Sequence, residues 1–153
     1  SSPIMVWKPH VTVAAVVHRD GKFLLVEEET DAGLAFNQPA GHLEEDEPLV
    51  DAVVREALEE TAYHFQPTHL VGIYHWKHQT KEDTTYLRFA FGGELVGFEA
   101  GRALDEGIVA ARWLSLDEVR ATQARHRSPL ILRCCEDLLA GKRYPLDLLV
   151  HYG

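Results

Sequence analysis

The chain has 153 residues, of which 46% are hydrophobic, and a formal net charge of −9 at pH 7. A chain of this length is expected to form one domain, residues 1–153, with its own core. The acidic charge argues against nucleic acid as a partner, because a phosphate backbone binds basic surfaces, and no apolar run is long enough to predict a membrane span.

The first half of the chain is predicted to contain a hairpin followed by a helix. Asp20-Gly21 is a favoured pair for a tight hairpin turn, and apolar runs lie on both sides of it. A later helix is expected to begin at Glu47-Pro48, because proline suits the first helical position. The predicted segments are strands at residues 10–18 and 23–27, a loop at 30–37, a polar approach at 38–46 and a helix at about 47–62.

The second half is predicted to contain an antiparallel strand pair, a third strand and two helices. The segment from Ser115 to Glu118 has the pattern of a capping box, which begins a helix. Ser128 is expected to cap a second helix, with Pro129 at its first position. The predicted segments are strands at residues 69–77, 84–95 and 108–114, a loop at 96–107, a helix at 130–139 and a tail at 142–153 that packs back on the domain. This order of elements favours an α+β or α/β sandwich.

Cysteine usage and the first residues indicate the compartment. Cys134 and Cys135 are the only cysteines, and adjacent cysteines are poorly placed to form a disulfide. We therefore expect both to be reduced and in or near the core. The sequence lacks a basic start followed by an apolar run, the pattern of a signal peptide. These features predict a cytoplasmic protein.

The predicted helix of the first half carries three carboxylates on one side. Glu56, Glu59 and Glu60 are three and four residues apart, so they are neighbours on the helix surface. Like charges repel at this spacing, and a divalent cation such as Mg²⁺ or Mn²⁺ would offset the repulsion. Arg55 lies beside Glu59 and could also reach Glu47. A guanidinium there would orient the carboxylates without neutralising all of them.

The same helix has an apolar stripe that would anchor it to the core, made of Val50, Val53, Val54, Ala57 and Thr61. We expect the three carboxylates on the rim or open side of this stripe. A solvated acidic face is the alternative interpretation. However, Gly41, Glu47 and Arg55-Glu56 also stand at fixed offsets, and such a match arises by chance on the order of 10⁻⁷ per starting point.

Residues 41–63, which hold this glycine, arginine and glutamate pattern, resemble the Nudix box, the signature of the Nudix hydrolases. Four further strings resemble the NudJ-like phosphatase branch of that family, in the same order: KPHVTVA at residues 8–14, NQPAGHLE at 37–44, RSPL at 127–130 and RYPL at 143–146. The resemblance implies the Nudix fold: an α+β fold (an α/β/α sandwich), with a mixed sheet between helices and a loop-helix-loop catalytic motif.

One departure from the family pattern is visible. The chain has Ala62 where the box has a glycine near its end. Glycine there would suit a left-handed residue that closes the helix. Alanine in that conformation would cost about 1 kcal/mol, unless the helix ends in another way. None of the expected ligands is involved.

The resemblance also implies the roles of the box residues. Glu56, Glu59 and Glu60 would be metal ligands, with the Gly41 carbonyl as a further contributor, and Mg²⁺ would be the cofactor, with Mn²⁺ as the alternative. Arg55, Glu56 and Glu60 are the expected catalytic residues. Either Glu56 or Glu60 could take the proton from the attacking water, and the choice stays open.

A further acid is expected from the loop before the last strand. Asp105 and Glu106 both lie there. Glu106 is favoured for this role, and Asp105 or neither is the alternative.

Two residues outside the box are candidates for substrate binding. Arg88 lies in a strand where polar and apolar residues alternate, so it faces either solvent or a site. Trp76 could stack on a heterocyclic base, although packing in the core is the more common role of a tryptophan.

Three functions are compatible with these features. The first is a Mg²⁺-dependent hydrolase of phosphoanhydride bonds in nucleoside di- and triphosphates and related pyrophosphates. The NudJ-like resemblance implies orthophosphate release, including from the thiamine-precursor pyrimidine pyrophosphate. The alternatives are a pyrophosphatase of ADP-ribose or dinucleotides and a non-catalytic nucleotide-binding module. The intact set of Arg55 and three glutamates favours an enzyme. We expect a small-molecule nucleotide or pyrophosphate as partner, and either a monomer or a homodimer.

Overall fold

Residues 6–153, which a computed structural model describes, form two β-sheets and three α-helices. The first five residues of the predicted domain lie outside this part of the chain. The strands are β1 (His10–Val16), β2 (His18–Arg19), β3 (Lys22–Thr30), β4 (Gly33–Asn37), β5 (Ala40–His42), β6 (Tyr63–Lys77), β7 (Thr85–Phe98) and β8 (Ile108–Ser115). The helices are α1 (Leu49–Thr61), α2 (Leu116–Ala121) and α3 (Leu130–Leu139).

The first sheet is mixed and has the strand order β5-β1-β7-β6. Strand β1 pairs with β7 in parallel and with β5 antiparallel, while β6 and β7 form the predicted antiparallel pair. In the second sheet β3 pairs antiparallel with β2, β4 and β8. Together with the helices, these sheets confirm the predicted α+β sandwich.

Side chains of the first sheet alternate between two cores. On one face Val13 of β1 packs in a cluster with Val53 of α1. On the other face Val16 packs in a cluster with Cys134 and Cys135 of α3. Helices can cover both faces because successive side chains of a strand point in opposite directions. Both cysteines are free and fully buried, which confirms their predicted place in the core.

Two segments predicted to lack regular structure contain strands. Strand β4 lies within the predicted loop at residues 30–37, and β5 lies within the predicted approach at 38–46. Both are short, and their backbone groups are satisfied by neighbouring strands, as where Gly41 of β5 stands opposite Val13 of β1. A strand of three to five residues has too little pattern to be predicted locally, because its partner stabilises it.

The chain forms both predicted hairpins. Asp20 and Gly21 have positive φ angles of 52° and 78°, as a two-residue hairpin turn requires. The second hairpin joins β6 and β7, which extend to Tyr63 and Phe98 and are longer than predicted. Register shifts around Pro67 interrupt the alternation of side chains. The sequence pattern therefore did not predict the first part of β6 as a strand.

The ends of α1 differ slightly from the prediction. Pro48 is extended, with ψ of 144°, and flanks the helix instead of occupying its first position. Ala62 adopts the left-handed conformation, with φ of 64°, and its N–H donates to the Leu58 carbonyl at 3.0 Å. Alanine therefore takes the conformation that glycine usually takes after a helix, at a cost of about 1 kcal/mol.

The C-terminal elements follow the prediction. Ser115 and Glu118 form the capping box of α2. At α3 the Ser128 hydroxyl accepts a hydrogen bond from the Leu130 N–H at 3.1 Å. In the tail, Tyr144 exchanges two backbone hydrogen bonds with a residue of β6, so the tail packs back on the domain. No helix within residues 6–153 is both long and apolar enough to cross a membrane.

A polar cluster around the buried Asp137 ties α3 to β6 and the tail. The Tyr74 hydroxyl donates to Oδ2 of Asp137 at 2.7 Å, and Arg133 Nε approaches the same oxygen at 3.0 Å. Lys142 Nζ lies 3.2 Å from Oδ1. Burial by itself would raise the pKa of Asp137, but these donors outweigh burial and hold the pKa below its ordinary value.

Candidate active site

Arg55 gathers the acidic groups around α1. Its Nε and Nη2 donate to the two carboxylate oxygens of Glu47 at 2.7 and 3.0 Å. Its Nη1 donates to Glu56 at 2.8 Å and to Glu59 at 3.3 Å. Nη2 also donates to the His42 carbonyl at 3.2 Å. The guanidinium is therefore placed to orient these carboxylates, because a planar donor fork bound at several points has little freedom.

Glu56 and Glu60 are buried, with 8% and 9% exposure, whereas we expected them on the rim or open side of the helix. The expectation was wrong because β5, predicted as part of an irregular approach, covers that flank of α1. The Ala40 N–H of β5 donates to Oε1 of Glu60 at 2.8 Å. Burial raises the pKa of Glu56 and raises the pKa of Glu60 to about 9. Such carboxylates favour a bound cation.

Gly41 lies directly against the Glu56 carboxylate. A Cβ atom at residue 41 would lie 2.2 Å from Cδ of Glu56. Its φ angle is not in the left-handed region, so the position needs glycine for space and not for conformation. The contact brings the backbone of β5 next to the carboxylates, where the sequence places the expected metal site.

The donor chemistry of this cluster suits a hard divalent cation. Three carboxylates and a backbone carbonyl offer only oxygen atoms, which Mg²⁺ and Mn²⁺ prefer. Because residue 41 is a glycine, no side chain separates its backbone from the Glu56 carboxylate. Within residues 6–153, no group of three Asp, Glu, His or Cys side chains is already arranged to hold a metal ion. Arg55 and the Ala40 N–H hold the carboxylates, so coordination would require some of them to rotate.

The loop before β8 brings one of the two candidate acids to the cluster. The Asp105 N–H donates to the Glu59 carbonyl at 3.0 Å, and the charge of Asp105 contributes to the raised pKa of Glu56 and Glu60. Asp105 and Glu106 are both exposed, and neither side chain takes part in the hydrogen bonds or ion pairs described for residues 6–153, so the backbone contact and the nearby charge are what distinguish Asp105. The geometry therefore favours Asp105, which the sequence ranked second.

A cleft of about 240 Å³ opens beside the carboxylate cluster, and residues from distant parts of the chain line it, including Gly41, Glu60, Trp76, Tyr86, Arg88 and Arg127. Arg88 is 6% exposed. Its Nη1 donates to Gln38 at 2.8 Å and its Nη2 to Asn37 at 2.9 Å. Within the described residues its partners are these neutral amides rather than carboxylates, so its positive charge is not neutralised by an acid.

An aromatic row borders the same cleft. Trp76 and Tyr86 stand opposite each other on β6 and β7, with ring centroids 5.8 Å apart and planes 19° from parallel. His10 of β1 lies 5.2 Å from Tyr86, and His42 of β5 lies 5.4 Å from His10. Trp76 is half-buried and faces the cleft instead of the core. The row offers ring faces on which a planar ligand could stack.

Sequence reasoning missed several residues that line or support the cleft, among them Tyr86, Asn37 and Gln38. Tyr86 could have been found, because it precedes Arg88 by two residues on a strand and so shares its face. Asn37 and Gln38 stand far from Arg88 in the sequence, and local patterns do not predict such contacts.

Comparisons with known proteins agree with this geometry. The NUDIX domain family model matches residues 8–134. The chain is 44% identical to the phosphatase NudJ of Escherichia coli K12 over 144 residues, 94% of this chain and 92% of NudJ. A NUDIX hydrolase structure from Nitrosomonas europaea is 55% identical, with a TM-score of 0.91, over 95% of this chain and 98% of that one.

A more distant structure shows likeness in fold alone. It is the NUDIX domain of Shewanella oneidensis NrtR complexed with ADP ribose. The two chains are 19% identical, with a TM-score of 0.70, over 88% of each.

Proposed function

Because this chain belongs to the Nudix hydrolase family and is a NudJ-like hydrolase of phosphoanhydride bonds, we propose that it hydrolyses nucleoside di- and triphosphates and related heterocyclic pyrophosphates with Mg²⁺. Orthophosphate is the proposed product. Nudix hydrolases generally use a divalent metal ion. One observation carries the proposal: two buried carboxylates, Glu56 and Glu60, lie against the backbone of Gly41 and Ala40 at the edge of a cleft.

The acidic cluster is proposed to hold the metal ion. Glu56, Glu59, Glu60 and the Gly41 carbonyl are the proposed ligands, with Asp105 as the further acid supported by its contact with α1. When bound, a divalent metal ion would supply positive charge that lowers the pKa of the attacking water and offsets charge on phosphoryl oxygens. This role also explains how a chain of net charge −9 can accept an anionic substrate.

The chain's own groups would position the reactants. Arg55 fixes the carboxylates of Glu56 and Glu59 through direct hydrogen bonds. In the reaction the water oxygen bonds to the terminal phosphorus, and the bond from that phosphorus to the bridging oxygen breaks. The water proton goes to a carboxylate, either Glu56 or Glu60. Arg88 and Trp76 are proposed to bind the substrate, because both line the cleft beside Glu60.

Product analysis tests this function. The protein is incubated with Mg²⁺ and, separately, with a nucleoside triphosphate, a nucleoside diphosphate, the thiamine-precursor pyrimidine pyrophosphate and ADP-ribose. Orthophosphate from the first three with intact ADP-ribose is the expected result. A chelator should abolish product and added Mg²⁺ should restore it.

Other products would change the assignment. Two monophosphates from ADP-ribose would move the chain to the alternative pyrophosphatase function. Absence of product from every substrate, with nucleotide binding retained, would replace the enzyme with a binding module. Turnover that survives complete chelation would contradict the metal-dependent mechanism.

A further inference from the structure

Asn37, at the end of β4, brings a side-chain amide to the lining of the cleft. Its side chain lies 2.9 Å from Nη2 of Arg88. A guanidinium has only N–H donors, so the amide atom in this contact must be the oxygen. The NH₂ group is the other substituent on the same amide carbon, and no side-chain hydrogen bond described for residues 6–153 involves it. Asn37 is half-buried and lines the cleft.

Buried neighbours hold this orientation. Gln38 is 1% exposed; its oxygen accepts from Nη1 of Arg88 at 2.8 Å, and its NH₂ donates to the Ile131 carbonyl of α3 at 2.9 Å. The chain of hydrogen bonds therefore runs from α3 through Gln38 and Arg88 to Asn37. A buried network in which each member has partners is rigid, so the Asn37 amide is oriented before a ligand arrives.

The aromatic row lies next to this donor. Tyr86 and Arg88 are two residues apart on β7 and stand on the same face, about 6.6 Å from each other along the strand. That separation is close to the width of a substituted six-membered ring. A planar ring stacked on Trp76 or Tyr86 would therefore place its edge near Arg88 and Asn37, within reach of the Asn37 NH₂ group.

We propose that Asn37 determines substrate specificity by donating a hydrogen bond to a nitrogen or oxygen acceptor on the edge of a planar heterocycle stacked on the aromatic row. Arg88 is the positioning residue that fixes the Asn37 amide. The substrate class is a heterocyclic di- or triphosphate whose ring carries such an acceptor. This proposal rests on the function proposed above, because it assumes that the cleft receives the hydrolysed substrate.

Substitution of Asn37 by aspartate removes the donor and keeps the shape. In Asn37→Asp the new carboxylate still accepts from Arg88, so the fold is retained. The readout is the ratio of kcat/KM for uridine diphosphate to that for phenyl diphosphate, whose ring has no acceptor. The added charge acts on both diphosphates and cancels in this ratio. We expect the ratio to fall about tenfold, mainly through KM, as loss of one hydrogen bond predicts.

Matched variants separate the contributions. Gln79→Glu makes the same change from amide to acid at an exposed residue outside the cleft lining, and it should leave the ratio within about twofold of wild type. Trp76→Ala should lower kcat/KM for both ring substrates about tenfold, because stacking does not depend on ring acceptors. Arg88→Lys loses the planar fork that holds both amides, so it should lower the ratio, and an unchanged ratio in this variant would contradict the positioning role of Arg88.

Two substrate arms identify the source of the ring. A nucleoside diphosphate carries the heterocycle on a sugar, and a pyrimidinylmethyl diphosphate carries it without one. The substrate whose kcat/KM falls more in Asn37→Asp is the one whose ring reaches the Asn37 NH₂ group. The proposal is overturned if Asn37→Asp leaves kcat/KM relative to phenyl diphosphate unchanged for both heterocyclic substrates. It is also overturned if Gln79→Glu changes the ratio as much as Asn37→Asp does. The hydrolase function stands in either case.

Failure of the proposed function has a different signature. If the wild-type protein releases no phosphate from any substrate, calorimetry with uridine monophosphate and phenyl phosphate replaces the kinetic ratio. The wild-type protein should still bind the uridine ligand more tightly, and Asn37→Asp should remove the difference. Equal binding of the two ligands by the wild-type protein overturns the role of Asn37 whatever the activity.

Discussion

Replacement of Gly41 by alanine tests whether turnover depends on the position of the Glu56 carboxylate. The new Cβ atom would lie 2.2 Å from Cδ of Glu56. Ordinary contact begins at 3.4 Å, so the carboxylate must retreat by about 1.2 Å. The clashing atoms are at the end of a side chain, so the fold can absorb the shift, whereas the carboxylate cannot keep its place beside β5.

The expected effects on stability and on turnover differ in size. Overpacking of this kind should cost about 1–2 kcal/mol, which lowers Tm by roughly 2–8 °C. A displacement of about 1 Å at a reacting centre can reduce the rate about 100-fold, so kcat for orthophosphate release at saturating Mg²⁺ should fall by about that factor. Gly97→Ala is the matched control, because Gly97 is also a strand glycine without positive φ and its Cβ would be 3.3 Å from His64.

The two measurements together decide the result. Turnover of Gly41→Ala within about threefold of wild type, with Tm unchanged, would mean that the Glu56 carboxylate has no required position. A rate loss of similar size in Gly97→Ala would attribute the effect to general loosening of the sheets. Circular dichroism at the assay temperature shows whether either variant is still folded.

Three further substitutions address separate parts of the molecule. Glu60→Gln keeps an acceptor for the β5 backbone and removes a buried ionisable group, so kcat should fall about 100-fold or more while Tm stays equal or rises. Arg55→Ala removes the bidentate partner of Glu47 and frees the neighbouring carboxylates, so kcat/KM should fall about 10- to 100-fold and Tm should decrease. Asp137→Asn should cost about 2 kcal/mol at pH 7. The folded-state pKa of Asp137 is below its ordinary value of 3.8. The ionised carboxylate therefore contributes its full stabilisation of the folded state above pH 3.8, and this stabilisation is lost as pH falls through the lowered pKa.

Each of these expectations has a contrary outcome. Glu45→Gln neutralises an exposed acid of the same segment and is the control for Glu60→Gln. Near-normal turnover of Glu60→Gln would remove Glu60 from the ligand set, and an unchanged rate for Arg55→Ala would make Arg55 a surface charge only. A Tm difference between wild type and Asp137→Asn that is the same at pH 3 and pH 7 would contradict the charge-based account of that cluster.

The sequence determined the features that depend on local spacing. The position of α1, the hairpin turn at Asp20-Gly21 and the capping box at Ser115 all follow from a few neighbouring residues. The contact between Arg55 and Glu59 is of the same kind, because residues four apart on a helix are neighbours in any fold. The family pattern could be recognised for the same reason, because its glutamates lie at fixed spacings on one helix.

The tertiary structure decided what surrounds that helix. Burial of Glu56 and Glu60 depends on β5, a strand of three residues that exists because β1 pairs with it. The contact of Asp105, and not Glu106, with α1 depends on how a loop meets the helix. The cleft joins residues such as Asn37 and Arg88, which are 51 positions apart. Such contacts depend on strand register and on packing between distant segments, which hydrophobic periodicity along the chain does not specify.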